Sequence, residues 1–201
     1  MASAKYDKER IVLVDMDEMD FSSDINTAFT TVGISTCIAF IIRGQCWIED
    51  ELKPFCGLYH WSGFPIRTKN QMKEIEDTLE DFFACLREDL DVDNNSILML
   101  SELVFIGGEK CQADRGGEII LSGTEREVDC LTRTLIDFDF SGRLIDVKQE
   151  QIKQHHFLTS GDQSLSITVN LTNWSYLLDN PEPIVNSDGI QPDSEFYFSM
   201  R

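Results

Sequence analysis

Between Asn70 and Asn94 the chain changes period. In "NQMKEIEDTLEDFFACLREDLDVDN", Met72, Ile75, Leu79, Phe82, Phe83, Leu86 and Leu90 recur mostly every third or fourth residue, which gathers apolar side chains on one face of a helix. Glu74, Glu76, Asp77, Glu80 and Asp81 fall mostly on the other side, where water solvates them. On both flanks the apolar residues come instead as short strand-like runs, "IVLV" and "CIAFII" before it and "NNSILMLSELVFIGG" after it. A helix with one apolar face among strands needs a sheet to cover, so the chain is constrained to a layered arrangement.

The runs can be placed in order. "IVLV", residues 11–14, reads as a short central strand, and the acidic "DMDEMDFSSD" after it as a strand end and turn. "CIAFII" and the two apolar pieces of "CWIEDELKPFCGLYHWSGFP" read as consecutive antiparallel strands, because their connections are too short for a crossover helix. Gly107 and Gly108 end the next strand, permitting backbone angles or close approaches denied to bulkier residues.

"SGTEREVDCLTRTLIDFDF" is a second helix, with Thr124 and Glu127 spaced as a capping box and Val128, Leu131, Leu135 and Phe138 as its packing face. "GRLIDVKQ", "KQHHFLTS" and "SLSITVNL" follow as strands, the last two expected to form a terminal hairpin around "TSGDQ". Strands, helix, strand, helix, strands predict one layered α/β or α+β domain over residues 1–172. Residues 173–201 form an acidic extension, interrupted by Pro, Asp, Asn and Ser but anchored by aromatic residues, which is expected to pack on the domain or bind a partner.

Seventeen Lys and Arg stand against 36 Asp and Glu, a formal charge of -19, which argues against general affinity for nucleic acid or anionic lipid. No stretch reaches eighteen apolar residues, and the amino terminus lacks the long apolar core of a signal peptide. The six cysteines, at positions 37, 46, 56, 85, 111 and 130, include no C-x-x-C pair, so free thiols in a reducing compartment fit better than a disulfide framework or a zinc site. His155 and His156 are adjacent, so in a strand they point to opposite faces and do not converge on a metal. "FIGGEKC" lacks the spacing of a phosphate loop. No cofactor and no metal are expected.

A cysteine nucleophile needs a thiolate and a proton acceptor, and histidine suits the second role. Cys37 and His60 make such a pair if their strands are neighbours; either residue alone reads as readily as a packing residue. "VGISTC" places a Gly, Ser35 and Thr36 just before Cys37, a composition able to form a tight turn whose N–H groups face an oxyanion. Cys46, Cys85 and Cys130 read as packing residues, and Cys56 shares a strand face with His60 at an even separation.

These segments, in this order, resemble the CheD family of bacterial chemoreceptor glutamine deamidases over roughly residues 10–170. "TVGISTCIAF" is similar to the family's threonine, glycine-containing turn and cysteine, with Thr31 at the threonine and Cys37 at the nucleophile; "CGLYHWSGFP" matches its histidine at His60 and its proline at Pro65. "LVFIGGEKC", "GTEREVDCLTRTLIDFDFSGRLIDVK", "VLVDMDEMDFS" and "FLTSGDQSLSITV" resemble its remaining segments. The chain departs from the family with Ser35-Thr36 in place of Gly-Ser before the cysteine, and with a longer interval from Cys37 to His60, read as a lengthened turn over "RGQCWIEDELKPF".

The resemblance implies a layered α/β/β sandwich with mixed or largely antiparallel sheets and two principal helices. It further implies glutamine deamidation through a thioester, with Cys37 as nucleophile, His60 as base, Thr31 orienting the imidazole, and Ser35 and Thr36 shaping the turn or oxyanion site. The implied partner is a protein with an accessible glutamine, either a chemoreceptor or a host protein. The expected location is cytoplasmic, with delivery into a host cell as the alternative, since toxins of the cytotoxic necrotizing factor class share a similar core. A catalytically silent binding module and another cysteine amidohydrolase or transglutaminase are the competing readings.

Overall fold

A computed structural model describes residues 10–63, 70–108, 112–113, 115–117, 119–121, 125–155, 163–179 and 198–199. Its strands are β1 (Arg10–Leu13), β2 (Met19–Ser22), β3 (Thr27–Ile34), β4 (Ile38–Ile48), β5 (Glu51–Trp61), β6 (Leu98–Gly107), β7 (Gln112–Ala113), β8 (Ile119–Leu121), β9 (Ile145–Asp146), β10 (Ile152–His155), β11 (Ser164–Asn170), β12 (Trp174–Asp179) and β13 (Phe198–Ser199). Two α-helices are described, α1 (Gln71–Asp89) and α2 (Glu125–Asp137). The fold is α+β.

One sheet has the order β1-β3-β11-β12-β13, and a second the order β10-β6-β4-β5-β2, with β9 also on β6. Both are mixed: β1 runs parallel to β3, and β10 and β9 parallel to β6, while the other pairings are antiparallel. The alternation of β4 assigns its two faces. Ile38, Phe40 and Ile42 join Ile75, Leu79, Phe82, Phe83 and Leu86 of α1 and Leu131 and Leu135 of α2 in one core. Cys37, Ala39 and Ile41 join Phe29, Ile34, Leu165 and Ile167 of the other sheet in a second core. Helices, sheet and sheet therefore stack in that order, and each fully buried Leu, Ile or Phe contributes about 1.5–3 kcal/mol.

Both predicted helices form. Asn70 caps α1, its side-chain oxygen accepting from the Lys73 N–H at 3.3 Å, and Arg87 donates to the carbonyls of Asp93, Ser96 and Arg143, holding the chain that leaves the helix. Met72 departs from expectation. It is exposed in the first turn and lines a cleft between α1 and α2.

Four further readings are corrected. "IVLV" is not central: β1 is the edge strand of its sheet, with Ile11 and Leu13 turned to solvent. "DMDEMDFSSD" is not only a turn, since β2 lies within it and buries Phe21 against α1. The interval between Cys37 and His60 is not a lengthened turn. It is two eleven-residue strands joined at Glu49 and Asp50, whose positive φ values of 51° and 64° give the twist of a two-residue hairpin. "KQHHFLTS" and "SLSITVNL" do not make a hairpin, because β10 extends β6 in one sheet whereas β11 pairs with β3 and β12 in the other. The hairpin partner of β11 is β12, so the expected boundary at 172/173 falls inside that hairpin. Thr124, Pro65, Cys111, His156 and most of "TSGDQ" lie outside the described residues, as do the side chains of Glu127 and His155.

Candidate active site

The register of β4 on β5 pairs Ala39 with His60 and Ile38 with Trp61. Carried one place further it sets Cys37, in the bend just before β4, opposite Ser62, so Cys37 falls on the face of His60 two places out of register. Backbones so related are about 7–8 Å apart. Cys56 shares that face but sits four residues along β5 from His60, about 13 Å away. Among the described cysteines, Cys37 is the one placed closest to the imidazole in strand register, since Cys46, Cys85 and Cys130 lie on the helix side.

The imidazole is held from the opposite sheet. Thr31 of β3 is fully buried, and its Oγ1 lies 2.8 Å from His60 Nδ1. The other ring nitrogen, Nε2, is buried and has no hydrogen-bond partner among the described residues, the Cys37 thiol included. Beyond Thr31, β3 carries a bulge: Thr31 pairs with Ile167 and Ile34 with Leu165, and Gly33 takes φ 74°. The extra residue turns Ile34 into the core. The chain then bends through Ser35, Thr36 and Cys37 before β4 begins, so Gly33 belongs to the bulge and the two hydroxyl residues to the bend.

Gly107 and Gly108 fix the height of Cys37. Gly107 has φ 122°, and a Cβ there would stand 2.6 Å from the Cys37 carbonyl oxygen and 2.6 Å from Ile34 Cγ2. The Gly108 N–H donates to that same carbonyl at 3.0 Å. The glycine pair is thus a seat for the cysteine peptide, a role that the pair of glycines at a strand end signalled only as an unspecified close approach.

Asp17 is a residue that sequence reasoning missed. Its N–H donates to the His60 carbonyl at 2.6 Å, and its Oδ1 accepts from the Ser62 N–H at 2.9 Å. His60 N–H in turn donates to the Glu18 carbonyl at 3.1 Å. The Asp15–Glu18 turn is therefore tied to the outer flank of β5, opposite β4. Asp17 has φ 64°, a conformation in which Asp and Asn are enriched. The only signal in the sequence was the density of carboxylates at a strand end.

Burial raises the Cys37 thiol pKa, Asp17 raises it further, and a hydrogen bond with Thr36 works the other way. Burial lowers the His60 pKa, and Asp17 and Asp15 partly oppose this. Both directions favour a neutral thiol beside a neutral imidazole over a resting ion pair. Burial pushes the Cys56 thiol up to about 12, which keeps it inert. Cys37, Cys46, Cys56, Cys85 and Cys130 are free thiols; Cys46 and Cys130 are buried in the helix-side core and Cys85 packs against it.

Among the described residues no group of three or more His, Cys, Asp or Glu is arranged for a metal, and no helix is long and apolar enough to cross a membrane. A cleft of about 530 Å³ opens between α1 and α2, but its lining of Lys73, Glu76, Asp77, Glu80 and neighbours carries neither Cys nor His. Compared with known proteins, the chain matches no family model and no curated protein.

Proposed function

We propose that this chain is a cysteine-dependent protein glutamine deamidase of the CheD type, an α/β/β sandwich whose site is Cys37, His60 and Thr31. The observation that supports this most is the Thr31 Oγ1 to His60 Nδ1 contact of 2.8 Å, with Nε2 unpartnered on the face that carries Cys37. When the Nδ1–H donates to Thr31, Nε2 keeps its lone pair and is the proton acceptor that Cys37 requires.

In this reading Nε2 removes the thiol proton as Sγ adds to the side-chain amide carbon of glutamine. Backbone N–H groups of the Ser35–Cys37 bend receive the developing oxyanion. The tetrahedral adduct collapses as His60 returns the proton to the leaving nitrogen, releasing ammonia and forming a thioester. Water then adds to the thioester while His60 takes a proton from it. Collapse of that adduct returns the proton to sulfur and frees glutamate. Thr31, being uncharged, orients the imidazole without offsetting the charge of the imidazolium, unlike the carboxylate of a Ser-His-Asp triad.

A candidate glutamine-bearing protein incubated with the enzyme is to gain about one mass unit at one glutamine and release ammonia. Folded Cys37→Ser and His60→Ala proteins are to lose this. Incorporation of an added amine in place of water would assign transamidation instead. The nearly complete burial of Cys37, 9% exposed, and the upward shift of its pKa support a second reading as a silent binding module of the same fold. Ammonia release by the Cys37→Ser protein sinks the nucleophile assignment. Stable substrate binding without turnover by the wild type favours the silent module.

A further inference from the structure

We infer that the Asp15–Glu18 turn forms a cation-selecting wall of the Cys37 site and that its natural ligand is a peptide segment with Lys or Arg within about three residues of the reacting side chain. That the reacting side chain is a glutamine rests on the deamidase reading; the charge preference does not.

The placement comes from strand order. Cys37 precedes β4, His60 lies in β5, and Asp17 hangs on the outer flank of β5 through the His60 carbonyl and the Ser62 N–H. Two strand spacings separate Asp17 from the cysteine, about 10 Å, and an extended chain covers that span in about three residues. His60, 5% exposed and with Nε2 unpartnered, lies between them in strand order, and the proposal puts the ligand's reacting group against that nitrogen. The carboxylates of Asp15, Asp17 and Glu18 are on exposed residues, so they meet a ligand without first leaving a core.

Met16 stands between two of these carboxylates and is 61% exposed. A flexible thioether suits the methylene stem of Lys or Arg, whose charged head then reaches a carboxylate. The charged groups near the site reinforce this sign: Asp17 acts on both the Cys37 thiol and the imidazole, and Asp15 on the imidazole. A cationic segment is attracted there, and an acidic one is repelled.

The test uses the full chain and small thiol reagents, so that it is independent of turnover. Methanethiosulfonates bearing a trimethylammonium or a sulfonate group are applied to wild type and Asp17→Asn, with modification of Cys37 followed by mass spectrometry. Asparagine retains an oxygen for the Ser62 N–H and tolerates the backbone angle, so the fold is kept. The cation-to-anion rate ratio is expected to fall about fivefold in Asp17→Asn, and to stay at the wild-type value in Glu88→Gln, which removes an equal charge from α1. A ratio unchanged by Asp17→Asn overturns the proposal, and so does failure of every reagent to reach Cys37 in the folded protein. Glutamine peptides with Lys or Glu within three residues form a second arm. No deamidation alongside an intact charge preference at Cys37 sinks the deamidase reading and leaves the cationic ligand standing; equal turnover of Lys and Glu peptides overturns the inference while the deamidase reading stands.

Discussion

The Thr31 hydroxyl and the His60 imidazole meet across two sheets, 2.8 Å apart and 29 residues distant in the chain. Both residues are buried, so the contact ties the layers together and sets the ring's orientation at once. Thr31→Val keeps the shape and removes the oxygen. It is expected to lower kcat about tenfold, the worth of one orienting hydrogen bond, with little change in KM, and Thr31→Ser is expected to restore most of the loss. Steady-state kinetics of ammonia release from a glutamine-bearing substrate, under the proposed deamidase activity, check this.

The pH behaviour follows from the two shifts. Because the Cys37 pKa is raised, alkylation of Cys37 by iodoacetamide should climb with pH to a midpoint above that of an ordinary thiol. An ion-paired cysteine would already be reactive at neutral pH. Mass-resolved alkylation rates between pH 6 and 10 distinguish the two.

Stability carries the second shift. The His60 pKa is lowered by burial, so below the ordinary imidazole value of about 6.5 the unfolded chain binds a proton that the native chain refuses. This contribution is fully present above that value and is lost as pH falls through the native pKa. Urea midpoints measured from pH 7.5 to 5 should therefore decline, and decline less steeply in His60→Gln.

Gly107→Ala tests the seat of the nucleophile. The added Cβ meets the Cys37 carbonyl oxygen at 2.6 Å, and φ 122° is closed to alanine. A loss of about 1–3 kcal/mol in stability is expected, together with slower alkylation of Cys37 under conditions where the variant is still folded.

Glu102 tests a junction remote from the chemistry. This buried carboxylate accepts from Arg43 at 3.1 Å, Lys153 at 2.6 Å and the Trp174 indole at 3.0 Å, joining β6 to β4, β10 and the opposite sheet. Glu102→Ala strands two cations, and because Lys153 remains partly solvated the cost should be about 3 kcal/mol. The Cys37 alkylation profile of the folded variant should match wild type.

What the sequence determined by itself is local. Periodicity placed α1, α2, β5, β6 and the first half of β4, because a helix face or a buried strand is written in residues three, four or two apart; "CWI", read as a strand of its own, is the continuation of β4 through Arg43-Gly44-Gln45. The Cys37–His60 pair was legible for a related reason, since adjacent strands in a hairpin bring nearby positions together. The hairpin's length was hidden: Glu49-Asp50 lacks the Asn or Gly that usually announces such a turn.

Tertiary structure alone decided the rest. Whether β10 joins β11 or β6, and whether β1 lies inside a sheet or at its edge, depends on pairing partners far along the chain that no window of residues contains. The same long-range pairing sets Thr31 against His60 from the facing sheet. It also brings the Asp15–Glu18 turn to the flank of β5 and the two glycines beneath Cys37. Side-chain type could nominate the nucleophile and its base; only the stacking of two sheets could supply what orients the base, seats the cysteine and charges the space around them.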